Sequence, residues 1–108
     1  KELIVMKYTV NSFLAAKVAF FNQIYDLCEE AGINYNTVKD LVSRDERIGD
    51  SHMTVTEERG FGGHFFPKDT SAFMKSASQL GVDLSILRNA YNYNQVVRNK
   101  KLLSEAMG

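Results

Sequence analysis

A lysine and an asparagine stand four residues apart near the start of the chain, at Lys7 and Asn11. In an α-helix such a pair lies on neighbouring turns and differs by about 40° in direction. An ammonium and an amide on one face can hold a polar ligand or stabilise a developing oxyanion. Ala15, Val18 and Asn22 continue the same line. Spacing alone favours an ordinary solvated helix face and leaves the pair as a candidate site.

Residues 60–69, with the sequence GFGGHFFPKD, combine three glycines, three phenylalanines and the only proline of the chain. Glycine permits positive φ angles and lets the backbone approach a neighbour closely. The spacing is not that of a G-x-G-x-x-G fingerprint or a Walker loop, and no strand pattern precedes it. A ligand held by backbone N–H groups and a tight turn packed under phenylalanine rings are equally compatible with these residues.

The remaining reactive side chains predict neither a metal site nor a nucleophilic thiol. His52 and His64 are the only histidines, and neither has a second histidine or a cysteine at ligand spacing. Zinc requires three or four such ligands, so we expect no metal. Cys28 lies near the end of a predicted helix, without a histidine or a helix N-terminus to stabilise a thiolate, so we expect it to be structural.

Composition bounds the class of protein. The 108 residues suffice for one domain, and 44% apolar with 24% charged residues predicts a folded, soluble one. The 13 basic and 13 acidic residues balance, which argues against a nucleic-acid partner. The sequence contains no run of 18 apolar residues, so no membrane span is predicted. A single cysteine is typical of proteins in the reducing cytoplasm. Because the chain starts with Lys1, we interpret it as part of a longer polypeptide.

The first element that must position Lys7 and Asn11 is a long helix predicted over residues 1–31. About 30 residues in a helix span about 45 Å, whereas a domain of this size has a radius of gyration of about 13 Å. We therefore predict that this helix buries part of its surface on a partner, with Phe13, Phe20 and Phe21 as candidate contacts. An ordinary core stripe is the alternative. The apolar residues at steps of three and four are Leu3, Met6, Val10, Phe13, Phe20, Ile24 and Leu27.

Three shorter helices and one long irregular segment are predicted after the first helix, and no strand pattern occurs, so the fold class is all-α. The irregular segment reaches about residue 67 and exceeds the roughly 12–15 residues usual for a structureless loop, which indicates function. The predicted boundaries are Gly32 as the end of the first helix, Asn34 as the N-cap of helix 35–43, Pro67 at the start of the third helix, Gly81 at its end, and Asp83 as the N-cap of the last helix, which runs to about Glu105.

Four motifs occur in the order KYTVNSFLAAKVAFFNQI, GINYNTV, DERIG and GFGGHFFPKDT. Together they resemble the central helical domain of the UDP-glucose/GDP-mannose dehydrogenases, most closely the members that act on UDP-glucose. The resemblance covers nearly all of residues 1–108. It implies an NAD-dependent oxidation of a UDP-sugar alcohol to a uronic acid and a homodimer formed through residues 1–31. It also implies flanking Rossmann domains that bind NAD and are absent here, so we expect the segment alone to be inactive.

The resemblance also implies roles for single residues. Lys7 is similar to the family's catalytic lysine, which stabilises oxyanion intermediates, and Asn11 to the asparagine that assists it. Asp69, in the P-K-D motif, is similar to the aspartate that positions the hydrolytic water and the lysine. Arg47 is similar to the arginine that reaches across the dimer to the partner's sugar nucleotide.

The same resemblance implies a role for residues 60–63, called the glycine segment below. Phe61, Gly62 and Gly63 are similar to the loop that lies along the sugar, and glycine there would let the backbone approach the ligand. This favours ligand binding over a tight turn as the reason for the glycines.

One position departs from the family pattern. The family traps an aldehyde on a cysteine thiolate, oxidises it to a thioester and hydrolyses it, but here that position is Phe65, whose ring offers no nucleophilic lone pair. Cys28 cannot substitute, because it lies about 17 residues, roughly 26 Å, along the helix from Asn11. Two hypotheses follow. The chain is the substrate-contacting and dimerisation domain of an oxidoreductase, or it is a catalytically degenerate homologue that serves as a binding or dimerisation module.

Overall fold

The computed structural model of the chain describes residues 1–62 and 65–108, except for the side chain of Phe65. Four helices follow one another: α1 is Glu2–Ala31, α2 is Tyr35–Val42, α3 is Phe65–Gln79 and α4 is Ser85–Met107. No strand occurs in the described ranges, so the all-α prediction is confirmed. α1 packs against each of the other three helices, and α3 also packs against α4. α1 is therefore the common support of the domain.

Several predicted helix boundaries are confirmed. Gly32 ends α1 in the left-handed conformation, with φ 69° and ψ 31°, and the next residue donates to Cys28 O at 2.8 Å. Asn34 caps α2, because its side chain accepts the Thr37 N–H at 3.2 Å. Gly81 follows α3 with φ 81°. These local signals sufficed because each depends on one residue and its immediate neighbours.

The predicted N-cap of α4 is wrong. The cap position is Leu84, which makes no side-chain capping bond, and the Asp83 carboxylate instead pairs with the Arg88 guanidinium at 3.0 Å. This hydrogen bond lowers the pKa of the Asp83 carboxyl below its ordinary value. Asp83 therefore binds a cation about one turn into the helix rather than the N–H groups at its start.

The predicted apolar stripe of α1 does not form the core of this chain. Phe13 and Phe20 are 66% and 58% exposed, and of the stripe only Ile24 packs against a buried cluster. The ordinary core stripe is therefore ruled out for the described part of the chain. The buried residues of α1 are Ser12, Ala15, Ala19, Phe21, Asn22 and Cys28.

The line that begins at Lys7 and Asn11 is the one that packs inward. Lys7 is exposed, but Asn11 and Val18 are partly buried and Ala15 and Asn22 are buried. The interpretation of this line as a solvated helix face is thus wrong from Asn11 onward. Its small side chains lie against the neighbouring elements and explain why this side, rather than the more apolar one, faces inward.

Two buried clusters hold the irregular segment against the helices. Phe21, Cys28 and Tyr35 surround Met53, while Ala15 and Ala19 of α1 surround Phe61. Cys28 is buried, as predicted for a structural cysteine. Phe21 is 7% exposed and belongs to the chain's own core, so it offers a partner less surface than Phe13 or Phe20. The long segment is consequently anchored at two points despite having no regular structure.

By length and composition α1 is apolar enough to cross a membrane. Core helices of soluble proteins meet the same criterion. Asn11 of this helix binds Asp69 of α3, and Asn22 binds Arg59, so one side of α1 packs against the rest of the domain. The expectation that the chain does not span a membrane stays a prediction.

The buried phenol of Tyr35 predicts an alkaline loss of stability. Burial raises the pKa of Tyr35 from 10.0 to about 12, so its contribution to stability is complete below pH 10.0 and is lost as the pH rises towards 12. Between these two pH values, ionisation of the Tyr35 phenol should lower the free energy of unfolding by about 1.4 kcal/mol per pH unit, as measured by denaturant titration.

The variant Tyr35→Phe separates this effect from simple packing. It loses the hydrogen bond from the phenol to Met53 O, which lowers stability by about 1 kcal/mol below pH 10.0, where the phenol is protonated. It should also lose the part of the alkaline slope that the phenol supplies. A slope identical to that of the natural protein would contradict the assignment.

Candidate functional site

Asn11 of α1 and Asp69 of α3, which are 58 residues apart, meet in a direct hydrogen bond. The Asn11 amide Nδ2 donates to Asp69 Oδ2 at 2.6 Å. Asp69 is buried, whereas Asn11 is partly exposed. The packing of α3 along α1 makes this contact and so brings together two of the predicted catalytic residues.

Lys7 lies exposed one turn before Asn11, about 6 Å along the axis of α1. The adjacent Tyr8 stacks on Phe73 of α3, with ring centres 5.7 Å apart, and so fixes this part of α1 against α3. The three predicted catalytic residues therefore lie along the α1–α3 contact, with Asp69 inside and Lys7 open to solvent. Such an arrangement can present an ammonium and an amide to an anionic oxygen.

Side chains of α4 occupy the space beside Gly60 and Gly62. Gly60 has φ 64°, and a Cβ there would overlap Asn94 Oδ1. At Gly62 a Cβ would lie 2.6 Å from Nη2 of Arg98. Glycine is therefore required at Gly60 by its φ and by Asn94, whereas a side chain at Gly62 would have to displace the flexible end of Arg98. Gly63, the third predicted glycine contact, lies outside the described residues.

Phe61 is engaged inside the chain. Its side chain is 3% exposed and packs against Ala15 and Ala19 of α1. Its N–H donates to Asn94 Oδ1 at 2.6 Å, and its carbonyl accepts from Asn94 Nδ2 at 2.9 Å. The ring and both backbone polar groups thus have partners within the domain, so a contribution of Phe61 to ligand binding would be indirect.

Arg59 anchors the start of the glycine segment to α1. It has a positive φ of 64°, uncommon for a residue with a side chain. Its Nε donates to Asn22 Oδ1 at 2.9 Å, and its Nη2 pairs with Asp26 Oδ1 at 2.7 Å. Its guanidinium carbon lies 4.7 Å from the centre of the Tyr25 ring. These contacts on one turn of α1 hold the backbone in its strained conformation.

Tyr93 of α4 closes this polar cluster from the opposite side. Its hydroxyl donates to Asp26 Oδ2 at 2.5 Å. Burial, followed by this bond to Asp26, raises the pKa of the Tyr93 phenol above its ordinary value. The tyrosine therefore remains a neutral donor and ties α4 to α1 beside Arg59.

The residues that hold the glycine segment were not predicted from the sequence. Asn94 and Arg98 follow Leu87 and Tyr91 at helical spacing, so they fall on the apolar side of α4. An asparagine on such a face requires a polar partner, which was a readable signal. Arg59 carried no comparable signal, because its partners are distant in sequence.

Arg47 lies away from the Asn11–Asp69 pair. It is exposed and binds the Asp45 carboxylate through Nε at 3.0 Å and Nη2 at 2.8 Å. The neighbouring Ile48 carbonyl accepts from Lys17 Nζ at 2.8 Å. Lys17 follows Asn11 by six residues and so points about 120° away from it around α1. The structure therefore does not bring Arg47 to the predicted catalytic residues of the same chain.

A groove of about 630 Å³ runs beside Arg47 between α1, the loop and α4. Phe13 and Phe20 of α1 line it together with Ile86 of α4. The exposed apolar side of α1 and the predicted cross-dimer arginine thus share one surface. The side chain of Phe65, at the predicted nucleophile position, lies outside the described residues.

Comparisons with known proteins place this arrangement in context. Residues 2–96 match the model of the UDP-glucose/GDP-mannose dehydrogenase family, central domain. A Pseudomonas aeruginosa protein named UDP-glucose 6-dehydrogenase is 40% identical over 102 residues, which are 94% of this chain and 22% of that protein. A Rickettsia typhi protein of the same name is 38% identical over 91 residues, covering 84% of this chain and 20% of that protein.

A solved structure shows the same fold. The UDP-glucose dehydrogenase from the hyperthermophilic archaeon Pyrobaculum islandicum superimposes with a TM-score of 0.79 at 35% identity. The match covers 85% of this chain and 21% of that one. The chain therefore spans about a fifth of the length of the relatives it matches.

The contact between Gly60 and Asn94 predicts a specific loss of stability for Gly60→Ala. Gly49 is the matched control, because it also has a positive φ, of 73°, but nothing lies within 4 Å of a Cβ there. Gly49→Ala should lower the free energy of unfolding by about 1 kcal/mol through backbone strain alone. Gly60→Ala should lower it by at least about 2 kcal/mol more, because Asn94 must also move and lose its bonds. Urea unfolding measures both, and equal losses would refute the packing explanation.

Proposed function

Because this chain belongs to the UDP-glucose/GDP-mannose dehydrogenase family and matches its central domain, we propose that it is the substrate-contacting and dimerisation part of a longer NAD-dependent oxidoreductase acting on a UDP-sugar. The Asn11–Asp69 hydrogen bond of 2.6 Å carries this proposal. Removing a carboxylate from water costs free energy that a single hydrogen bond from an amide offsets only in part. Polar pairs of this kind are expected where the side chains serve a ligand.

The geometry supports a different role for each of Lys7, Asn11 and Asp69. An amide nitrogen carries two N–H groups, so the bond of one to Asp69 fixes the direction of the other. Asn11 thereby becomes an oriented donor one turn from the exposed Lys7 ammonium. Lys7 and Asn11 together stabilise negative charge developing on a substrate oxygen, and Asp69 holds Asn11 in place.

The described residues do not fit NAD. A dinucleotide site requires a strand, a glycine-rich turn and a helix N-terminus, whereas residues 1–62 and 65–108 contain four helices and no strand. We assign NAD binding to flanking Rossmann domains of the longer polypeptide. No step involving the dinucleotide is therefore assigned to this segment.

Phe65 supports a second candidate function. It stands where the family resemblance implies a cysteine, and a phenyl ring cannot form the thioester that leads from aldehyde to acid. A homologue that has lost catalysis and serves as a binding or dimerisation module is consistent with this substitution. The Asn11–Asp69 pair favours the catalytic candidate, because a binding module has no need of that buried carboxylate.

Phe65→Cys in the complete polypeptide tests the first candidate against the second. UDP-glucose oxidation is followed by NADH formation and by separation of the aldehyde from the uronic acid. We expect the natural protein to stop at the aldehyde and Phe65→Cys to yield the acid. Adding Asn11→Ala to Phe65→Cys should lower kcat by about 10²–10³-fold, through loss of an oxyanion donor. Inactivity of the natural protein and of Phe65→Cys alike would leave the binding module as the function.

We also propose that the exposed apolar side of α1 forms a homodimer. Phe13 and Phe20 on this side line the groove that also contains Arg47. A contiguous exposed apolar surface is typical of an interface. On this arrangement Arg47 reaches the sugar nucleotide of the partner rather than that of its own chain, as the family resemblance implies.

Phe20→Glu should convert the complete polypeptide from dimer to monomer, because it places a carboxylate in the apolar contact. Leu80→Glu is the control, since Leu80 is 84% exposed and follows α3, outside the groove. Sedimentation velocity should give a dimer for the natural protein and Leu80→Glu. A monomeric natural protein at high concentration, or a dimeric Phe20→Glu, would exclude this interface.

A further inference from the structure

We propose that Asn94 is a positioning residue for the proposed sugar-nucleotide site, acting through the glycine segment on the start of α3. The inference rests on the proposed function, because the site it serves is the Lys7–Asn11–Asp69 arrangement. Asn94 itself is 1% exposed and touches none of these three residues through a hydrogen bond in the described structure. Its effect on the site is therefore indirect.

Asn94 replaces a missing backbone partner. Its side-chain amide accepts the Phe61 N–H at 2.6 Å and donates to the Phe61 carbonyl at 2.9 Å. A neighbouring strand would make these two bonds in a sheet, but the described ranges contain no strand. Loss of this one side chain would leave two buried backbone groups without partners, which is costly away from water.

The residues just before Phe61 are held in the same way. The Gly60 N–H donates to Asn22 Oδ1 at 2.9 Å, and the Arg59 carbonyl accepts from Arg98 Nη1 at 2.9 Å. Successive backbone groups are thus bound by side chains of α1 and α4 in turn. Among these contacts, the pair at Phe61 lies nearest in sequence to α3.

Contacts between aromatic rings lead from Phe61 to the site. The Phe61 ring meets the Phe66 ring edge-on, with centres 6.4 Å apart. Phe66 is the second residue of α3, and its carbonyl accepts from the buried Thr70 hydroxyl at 2.8 Å. Asp69 lies between these two bonded residues, in the same turn. A displacement of Phe61 would therefore shift the turn that presents Asp69 to Asn11.

The first test uses Asn94→Leu in the complete polypeptide, with Asn92→Leu on the exposed side of α4 as control. Leucine is of similar size but makes neither bond to Phe61. Hydrogen exchange of the peptide covering residues 59–70 should rise at least about tenfold in Asn94→Leu and stay unchanged in Asn92→Leu. UDP-glucose affinity, measured by calorimetry, should fall about tenfold or more, since small misplacements of positioning groups have large effects. NAD affinity should not change, because NAD is assigned to other domains.

Asn94→Asp supplies a readout that a merely structural role would not give. As a carboxylate it accepts from the Phe61 N–H but cannot donate to the Phe61 carbonyl, whereas the protonated acid does both. UDP-glucose affinity relative to the natural protein should therefore be lower at about pH 8 and recover at about pH 5. This variant also serves if Asn94→Leu does not fold.

The outcomes separate the positioning role from the proposed function. Equal exchange of residues 59–70 in the two leucine variants would overturn the role of Asn94. Increased exchange with unchanged UDP-glucose affinity in Asn94→Leu would also overturn it. The same holds if the UDP-glucose affinity of Asn94→Asp does not recover at about pH 5. A natural protein that binds no UDP-glucose would refute the proposed function itself, and the positioning role with it.

Discussion

Four backbone groups of residues 59–61 form hydrogen bonds with side chains of α1 and α4, two helices that are far apart in sequence. Asn22 of α1 and Asn94 of α4 bind consecutive residues of this segment. Both asparagines are buried, so these bonds form away from water, where an unpaired partner would be costly. The segment thereby connects α1 to α4, and the Phe61 ring contacts Phe66 near the start of α3, the helix that contains Asp69.

The two sides of α1 have different uses. Small and polar residues such as Ala15, Ala19 and Asn22 face inward, where they admit the Phe61 ring and the loop backbone. The larger apolar residues, among them Phe13 and Phe20, face outward around the groove that includes Arg47. An inward side of small residues lets the neighbouring elements approach α1 closely. It leaves much apolar surface exposed, which is the physical reason for proposing a second copy.

Much of the fold was predictable from the sequence, because its helix signals are local. Gly32 and Asn34 marked boundaries through their own conformational and capping preferences. Asp83 was wrongly predicted as an N-cap, because the Arg88 guanidinium competes with the N–H groups of the helix N-terminus for its carboxylate. The inward line of α1 from Asn11 to Asn22 was interpreted as a solvated face, because its small and polar residues give no apolar signal.

The candidate site was predictable only in part. Spacing put Lys7 and Asn11 on one face of a helix, but the meeting of Asn11 with Asp69 depends on tertiary packing over 58 residues. The glycines of the segment were attributed to a ligand, whereas at Gly60 and Gly62 the neighbouring atoms belong to Asn94 and Arg98. Such contacts join residues distant in sequence and leave little trace in local spacing.

A crystal structure of the complete polypeptide with UDP-glucose bound would show whether these residues form the substrate site. We expect the sugar to lie against Lys7 and Asn11, with Asn11 still bonded to Asp69 and the Asn94–Phe61 pair intact. A sugar bound elsewhere, or Asn11 and Asp69 separated in the complex, would contradict this expectation.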